Sequence, residues 1–209
     1  YVTGKAGFSN LGNETVTIIG ANSAARVDSI LKATTGIVTA DVTAASASDL
    51  VANLKNAKND VLTLAITATE AKASDLKALD AKTSGQVDAS LITKLVGNAA
   101  DVKAVLASNG IKIDAAEVID VTGKISIADA NTITSATTGV VTAEVTAGTA
   151  AALNSGLKDL NAGNNALKLT VTGATAAASD LNGLNAKTTE VVNAAAIKNI
   201  EGNGATGAA

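Results

Sequence analysis

The sequence predicts an α/β repeat solenoid, with a stacked parallel β-sheet on one wall, short helices on the other and about 26 residues in each coil. Three observations predict it. The chain is largely written twice: Ala33-Thr-Thr-Gly-Ile-Val-Thr-Ala-Asp-Val-Thr-Ala44 returns as Ala136-Thr-Thr-Gly-Val-Val-Thr-Ala-Glu-Val-Thr-Ala147, an offset of 103 residues (33 to 136). After a two-residue insertion the copy resumes at an offset of 105 residues (73 to 178), where Ala73-Ser-Asp-Leu-Lys-Ala-Leu-Asp-Ala-Lys-Thr83 reads as Ala178-Ser-Asp-Leu-Asn-Gly-Leu-Asn-Ala-Lys-Thr188. Inside each long repeat, aliphatic pairs at helical spacing recur in steps of 23 to 28 residues: Val27/Ile30, Leu50/Leu54, Leu76/Leu79, Val102/Val105, Ala130/Ile133, Leu153/Leu157 and Leu181/Leu184. Between these pairs the period switches from helical to alternating.

The alternating stretches are the strands. Val38/Ala40/Val42 share one face and Thr39/Asp41/Thr43 the other, and Leu62/Leu64/Ile66, Ile111/Ile113, Val141/Ala143/Val145 and Leu167/Leu169/Val171 repeat the pattern. Period-two runs rich in β-branched residues predict half-buried strands. Val87-Asp-Ala-Ser and Val192-Asn-Ala-Ala are weaker copies. Gly36, Gly85, Gly110 and Gly139 stand between helix and strand, where a helix C-terminus favours a residue of positive φ, and Asn59 and Asn164/Asn165 are placed to do the same. Ser46 or Ser48, Thr69, Asn98, Ser126 and Thr149 read as N-caps, and Asp101 adds a carboxylate to a first turn. Second β-rich segments precede some helices, at 15–20, 92–97, 118–123 and 197–202; they read as strands turning a corner of the coil or as extensions of the main strand.

The chain of 209 residues is read as one α/β solenoid over 1–209: two long repeats, 33–135 and an incomplete 136–209, preceded by a partial copy at 8–32. Each coil buries little alone, so stability is expected from its neighbours. A doubly wound α/β domain is the alternative, but nothing in the pattern assigns helices to both faces of the sheet. The last repeat stops mid-pattern at 201–209 and neither end carries a polar cap, which predicts a longer array or end-to-end stacking. The chain begins at Tyr1 without a Met, as a processed end or the start of an excised fragment would.

Composition narrows the function. Hydrophobic residues make up 47% of the chain but aromatic residues only 1%, so the core must be Val, Ile, Leu and Ala. The net charge is −3, with a single Arg (Arg26) and scattered lysines, which gives no cluster for counterion release on nucleic acid and no aromatic platform for single strands. No apolar run approaches the ~18 residues of a spanning helix.

There is no His and no Cys, so the commonest general base, the strongest nucleophile and the zinc ligands are missing. The acids are spread one or two per coil, as solvated charges and helix-dipole partners rather than a paired hydrolytic site. No catalytic, cofactor-binding or metal-ligating residue is therefore expected, no cofactor is expected, and the protein is not expected to be an enzyme. Asp41, Asp88, Asp114 and Glu144 fall on outward strand positions, where rungs about 5 Å apart would allow a bridging cation. Thr39/Thr43, Thr63/Thr67, Thr142/Thr146 and Thr170/Thr172 form part of an outward ladder suggestive of ice binding, but charges interrupt it. The Gly-rich 202–207 lacks the Lys and following helix of a phosphate loop.

The motifs at 73–83, 136–143 and 97–102 (Gly-Asn-Ala-Ala-Asp-Val) resemble the tandem Ala/Thr/Asp-rich repeats of giant bacterial, cyanobacterial-type, cell-surface and secreted proteins. The resemblance covers nearly the whole chain. It implies an extracellular or cell-surface location and a scaffolding or adhesive role, and it carries over no functional residue. The expectation is thus a structural or adhesive module of an extracellular filament, surface coat or giant surface protein. Its partners would be itself, end to end or laterally, the neighbouring repeats of a longer chain, or surface glycans, with no nucleic acid and no membrane insertion. A glycan- or calcium-binding module using the outward sheet face is the alternative.

Overall fold

The computed structural model describes residues 12–114, 117–158 and 164–202. Residues 8–11 of the partial copy and the glycine-rich tail from 203 lie outside them. Among the described residues, seven helices alternate with parallel strands, an α/β fold. The chain divides into two compact units, one running to Leu95 and including Ala104–Asp114, the other formed by Val96–Lys103 and the residues from Ala115 onward.

The first unit contains β1 (Val16–Asn22), α1 (Ala24–Leu31), β2 (Val38–Val42), α2 (Ala47–Asn53), β3 (Val61–Ala65), β4 (Glu70–Lys72), α3 (Ala73–Asp80) and β5 (Val87–Asp88). β6 (Lys94–Asn98) and α4 (Ala99–Ala107) contribute residues to both units, and β7 (Ile111–Lys112) returns to the first. The second holds β8 (Val118–Ile125), α5 (Ile127–Ser135), β9 (Val141–Val145), α6 (Ala150–Gly156), β10 (Ala166–Lys168), β11 (Thr175–Ala177), α7 (Ala178–Asn185) and β12 (Asn199–Glu201).

In the first unit β1-β2-β3-β5-β7 lie side by side in sequence order, all parallel. In the second, β8-β9-β10 do the same, and β11 pairs with β12. The predicted inward residues Val38, Ala40, Leu62, Leu64, Val87 and Ile111 are buried, as are Val141, Ala143, Leu167 and Leu169. Against them pack Val27, Leu50, Leu54, Leu76 and Leu79 in one unit and Ala130, Ile133, Leu153, Leu157 and Leu184 in the other, all buried.

The sequence repeat extends to backbone register. β1 meets β2 through Val16↔Val38 and Thr17↔Thr39, then, after a bulge, Ala21↔Asp41 and Asn22↔Val42. β8 meets β9 through Ile119↔Val141 and Asp120↔Thr142, then Lys124↔Glu144 and Ile125↔Val145, each pair 103 residues on. The bulge follows from one glycine in each copy: Gly20 has φ 77° and Gly123 φ 79°, a conformation that costs other residues strain. All four second β-rich segments are strands: those at 15–20 and 118–123 extend the main strand through this bulge, and those at 92–97 and 197–202 become β6 and β12.

Three local expectations need correction. Asn59 does take positive φ (61°), but Gly36, Gly85, Gly110 and Gly139 are not among the glycines of positive φ, and neither Asn164 nor Asn165 joins Asn59. Glycine is used there for close approach: a Cβ on Gly85 would sit 2.6 Å from the Leu62 carbonyl oxygen, and one on Gly36 would strike the carbonyls of Asn13 and Glu14. Thr69 does not cap α3, because β4 intervenes and Lys72 occupies the cap position; Ser46, Asn98, Ser126 and Thr149 do cap, each accepting an N–H three residues on. Val192-Asn-Ala-Ala is no strand; only Asn193 bridges, to Thr170.

In each unit buried side-chain bonds link two strands to the repeat that follows. The Val38 N–H donates to Asp60 Oδ1 (2.9 Å), and the Leu62 N–H to Thr83 Oγ1 (2.9 Å). In the second unit the Val141 N–H donates to Asn165 Oδ1 (3.0 Å), and the Leu167 N–H to Thr188 Oγ1 (2.9 Å). The hydroxyls of Thr34 and Thr137 reach back to the carbonyls of Glu14 and Glu117. Thr83 Oγ1 also accepts from the Gly85 N–H and lies 3.0 Å from the Asp60 carbonyl to which it can donate.

Thr83→Val keeps the shape but leaves the Leu62 and Gly85 N–H groups without that acceptor, at a cost of about 1–3 kcal/mol. Thr83→Ser keeps the oxygen and is expected to lose less than about 1 kcal/mol. Urea unfolding followed by circular dichroism measures both; equal stability of the two variants would remove these bonds from the forces that hold the fold.

Candidate functional site: the outward face of the parallel sheet

With the inward strand residues committed to the core, the alternate residues form the outward face. In the first unit its rows read Thr17-Thr39-Val61 and Ala21-Asp41-Thr63. Register therefore sets Val61, not Thr63, beside Thr39, and the threonines do not align into a single ladder. Val61 is 43% exposed and Ile37 44%, so part of this face is apolar.

The four outward acids are also dispersed. Asp41 stands between Ala21 and Thr63. Asp88 has Ala65 on one side and Lys112 on the other, with the ammonium 3.5 Å from its carboxylate. Glu144 lies between Lys124 and Lys168, 3.2 Å from the Lys124 ammonium. Asp114 is exposed after β7. Beside Asp88 and Glu144, lysines thus occupy the neighbouring rungs where a cation-bridging pair needs a second acid. Among the described residues no three His, Cys, Asp or Glu side chains converge as metal ligands.

Local bonds hold two carboxylates, Asp88 on this face and Asp129 on α5, in their charged form. The Ser90 hydroxyl and N–H, followed by Lys112, keep the Asp88 carboxyl below the usual aspartate range. At the start of α5, Lys103 and then Ser126 do the same for Asp129. The Asp129 N–H donates to Ser126 Oγ (3.0 Å) and the Ser126 hydroxyl returns a bond to Asp129 Oδ2 (2.8 Å), a reciprocal helix cap. Such carboxylates are suited to ion pairing and poorly suited to general-acid work, which needs a raised pKa.

A cavity of about 240 Å³ opens at the entry to β2, lined in part by Lys32, Asn56, Lys58 and Asp60. The Asp60 carboxylate is buried, and the N–H groups of Val38 and Lys58 each donate to one of its two oxygens, which ties it into the fold. No described helix is long and apolar enough to cross a membrane.

Sequence reasoning found the outward positions but missed the lysines that share their rows. Part of the signal was available: folding the sequence at the short-repeat spacing puts Lys112 beside Asp88, whereas Lys124 reaches Glu144 only through the register shift at the bulge. No family model matches the chain, and comparison with curated proteins and with solved structures gives no match.

Because the Asp129 pKa is lowered in the folded protein, its contribution to stability is present above the unfolded aspartate value, about 4, and fades as pH falls through the folded value. Asp129→Asn is expected to lower the melting temperature by roughly 2–5 °C at neutral pH. The gap to the parent protein should narrow steadily below about pH 4. Thermal melts at stepped pH read this; a gap independent of pH would leave the ionised pair with Lys103 without effect.

Proposed function

We propose that the protein is a structural repeat module of the cell exterior, an α/β solenoid in which coils of about 26 residues stack within each unit, serving a filament, surface coat or giant surface protein. One observation carries this reading: the strand register, the glycine bulge and the buried polar bonds recur together at the repeat spacing. A chain built so can be lengthened by copying, because each added coil meets the same neighbour. That is the physical requirement for a spacer or scaffold. The lack of His and Cys, and carboxylates kept ionised by local partners, favour a non-enzymatic role. The placement outside the cell rests on the resemblance of its motifs to giant surface-protein repeats.

Excision is the direct test. Removing residues 33–135 joins Lys32 to Ala136, so that β1 meets β9 in the register that β8 has now. The shortened chain is expected to fold cooperatively with the same mixed α/β spectrum and a smaller denaturant m-value, in proportion to its reduced buried surface. A chain left unfolded by this excision would refute the repeat architecture. Antibodies against the protein should label intact producing cells; labelling only after permeabilisation would refute the exterior location.

A further inference from the structure

We propose that Asn109, in the turn between α4 and β7, is a site of spontaneous covalent modification. Its carboxamide is lost through a cyclic succinimide closed by the Gly110 nitrogen, which leaves aspartyl and isoaspartyl residues and loosens the entry to β7. The proposal goes beyond the scaffold reading and does not rest on it, because it depends on the chemistry of one turn.

Four turns that lead from helix to strand are built alike: Thr34-Thr35-Gly36, Thr83-Ser84-Gly85, Ser108-Asn109-Gly110 and Thr188-Thr189-Glu190. In each, the first hydroxyl accepts the N–H of the third residue. In three of them the middle residue is also tied to the preceding repeat. The N–H and the hydroxyl of Thr35 both donate to the Gly12 carbonyl, those of Ser84 to Asp60 and those of Thr189 to Asn165. Among the described residues Asn109 makes neither bond, and it is exposed. It is the one middle residue of the four that carries a carboxamide, and the one left untied.

The residue after it is glycine, so no side chain shields the attacking nitrogen. The Gly110 N–H donates to Ser108 Oγ (3.0 Å), whose hydroxyl donates to Asp80 Oδ2 (2.9 Å). That bond runs along the N–H, in the amide plane, and leaves the π face of the nitrogen unengaged. Ring closure forms a bond between Gly110 N and Asn109 Cγ and breaks the Cγ–Nδ2 bond, and ammonia departs with the Gly110 proton. Water then opens the imide. Cleavage at Cγ restores the main chain with an aspartate; cleavage at the main-chain carbonyl routes the chain through the side chain as an isoaspartate.

The chain supplies its own control. Asn182-Gly183 is the same dipeptide and Asn182 is also exposed, but both residues lie inside α7. There the Gly183 N–H belongs to the helical ladder, and ring closure requires the helix to open first. The Asn203-Gly204 pair lies outside the described residues.

The product falls where β7 begins. The Gly110 carbonyl accepts the Val87 N–H (2.8 Å), and Val87 pairs with Ile111 in the adjoining rung. An isoaspartate lengthens the main chain by a methylene just before that rung. Both products add a carboxylate to a turn already packed against Asp80, whose Oδ1 would lie 2.0 Å from a Cβ on Gly110.

Incubating the whole folded chain in warm, mildly alkaline buffer, followed by tryptic digestion and mass spectrometry, tests this. The peptide 104–112 should gain the mass of an amide-to-acid exchange at Asn109 and split into two chromatographic forms. Conversion at Asn109 should outpace that at Asn182 by more than roughly tenfold, because α7 must open before its own site reacts. In denaturing urea the gap should close, since the dipeptide is the same at both places. The incubated protein should melt roughly 2–4 °C below the fresh protein. Asn109→Ser, which matches the middle position of 83–85, should melt alike before and after incubation. An Asn109 that stays intact in the folded chain while converting in urea, or an Asn182 that reacts as fast in the folded chain, would overturn the modification site. An equal loss of melting temperature in parent and variant would overturn the loosening at β7.

Discussion

A strand entering a parallel sheet brings main-chain N–H groups into the core before the sheet can satisfy them, and in this protein side chains of the following repeat do so. Asp60, Thr83, Asn165 and Thr188 each place an oxygen on the N–H of a strand residue 21 to 24 positions earlier. An unpaired buried N–H costs about as much as several buried methyl contacts contribute, so the acceptor cannot be dispensed with. The replacement of Asp60 by Asn165 at the equivalent place indicates that an oxygen of the right reach is required, rather than a charge. Because donor and acceptor lie in successive repeats, each repeat completes the one before it. The close passage of backbone at Gly36 and Gly85 follows from the same turn, in which a hydroxyl two residues earlier binds the glycine N–H.

The thin core follows from composition. With one Tyr and one Phe in the chain, the space between sheet and helices is filled by Leu, Val, Ile and Ala. Such a layer buries little apolar surface per repeat, while ordering the backbone of each residue costs about 1–2 kcal/mol. A lone repeat is therefore not expected to stand, and the contacts that hold it are those with its neighbours. The helices are short for the same reason and depend on their starts: Ser23, Ser46, Ser126 and Thr149 each hold a first-turn N–H, and Asp49, Asp75, Asp101, Asp129 and Asp180 face the positive end of a helix dipole.

The α/β class, the helices, most strands and the inward residues were legible because alternation and helical spacing are set by burial, the strongest pattern a sequence carries. What was not legible depends on long-range register. Gly85 looked like a helix terminator because glycine at that place commonly is one, but its reason is a carbonyl from a strand 23 residues earlier. Thr83 and Thr188 drew no reading of their own beyond closing the copied motif, although Thr-x-Gly at 83–85 and Thr-x-Glu at 188–190 mark the hydroxyl that does the bonding. On the outward face the acids were seen without their lysines, because Asp88 and Lys112 are 24 residues apart and become neighbours only once the rungs are aligned.

Comparing the two long repeats position by position separates the two sides of the sheet. Inward, Val38, Ala40, Val42, Leu62 and Leu64 return unchanged as Val141, Ala143, Val145, Leu167 and Leu169. Outward, Thr39 and Thr43 persist as Thr142 and Thr146, but Thr17 becomes Asp120, Ala21 becomes Lys124, Thr63 becomes Lys168 and Asp88 becomes Asn193. A face that bound one ligand per repeat would need the same side chains at the same rungs, since affinity at each site depends on groups placed to fractions of an ångström. Here the outward chemistry drifts while the interior stays aliphatic and its polar bonds keep an oxygen acceptor at each place. The duplicated property is the ability of one repeat to hold the next, which is the property that the proposed scaffold role would draw on.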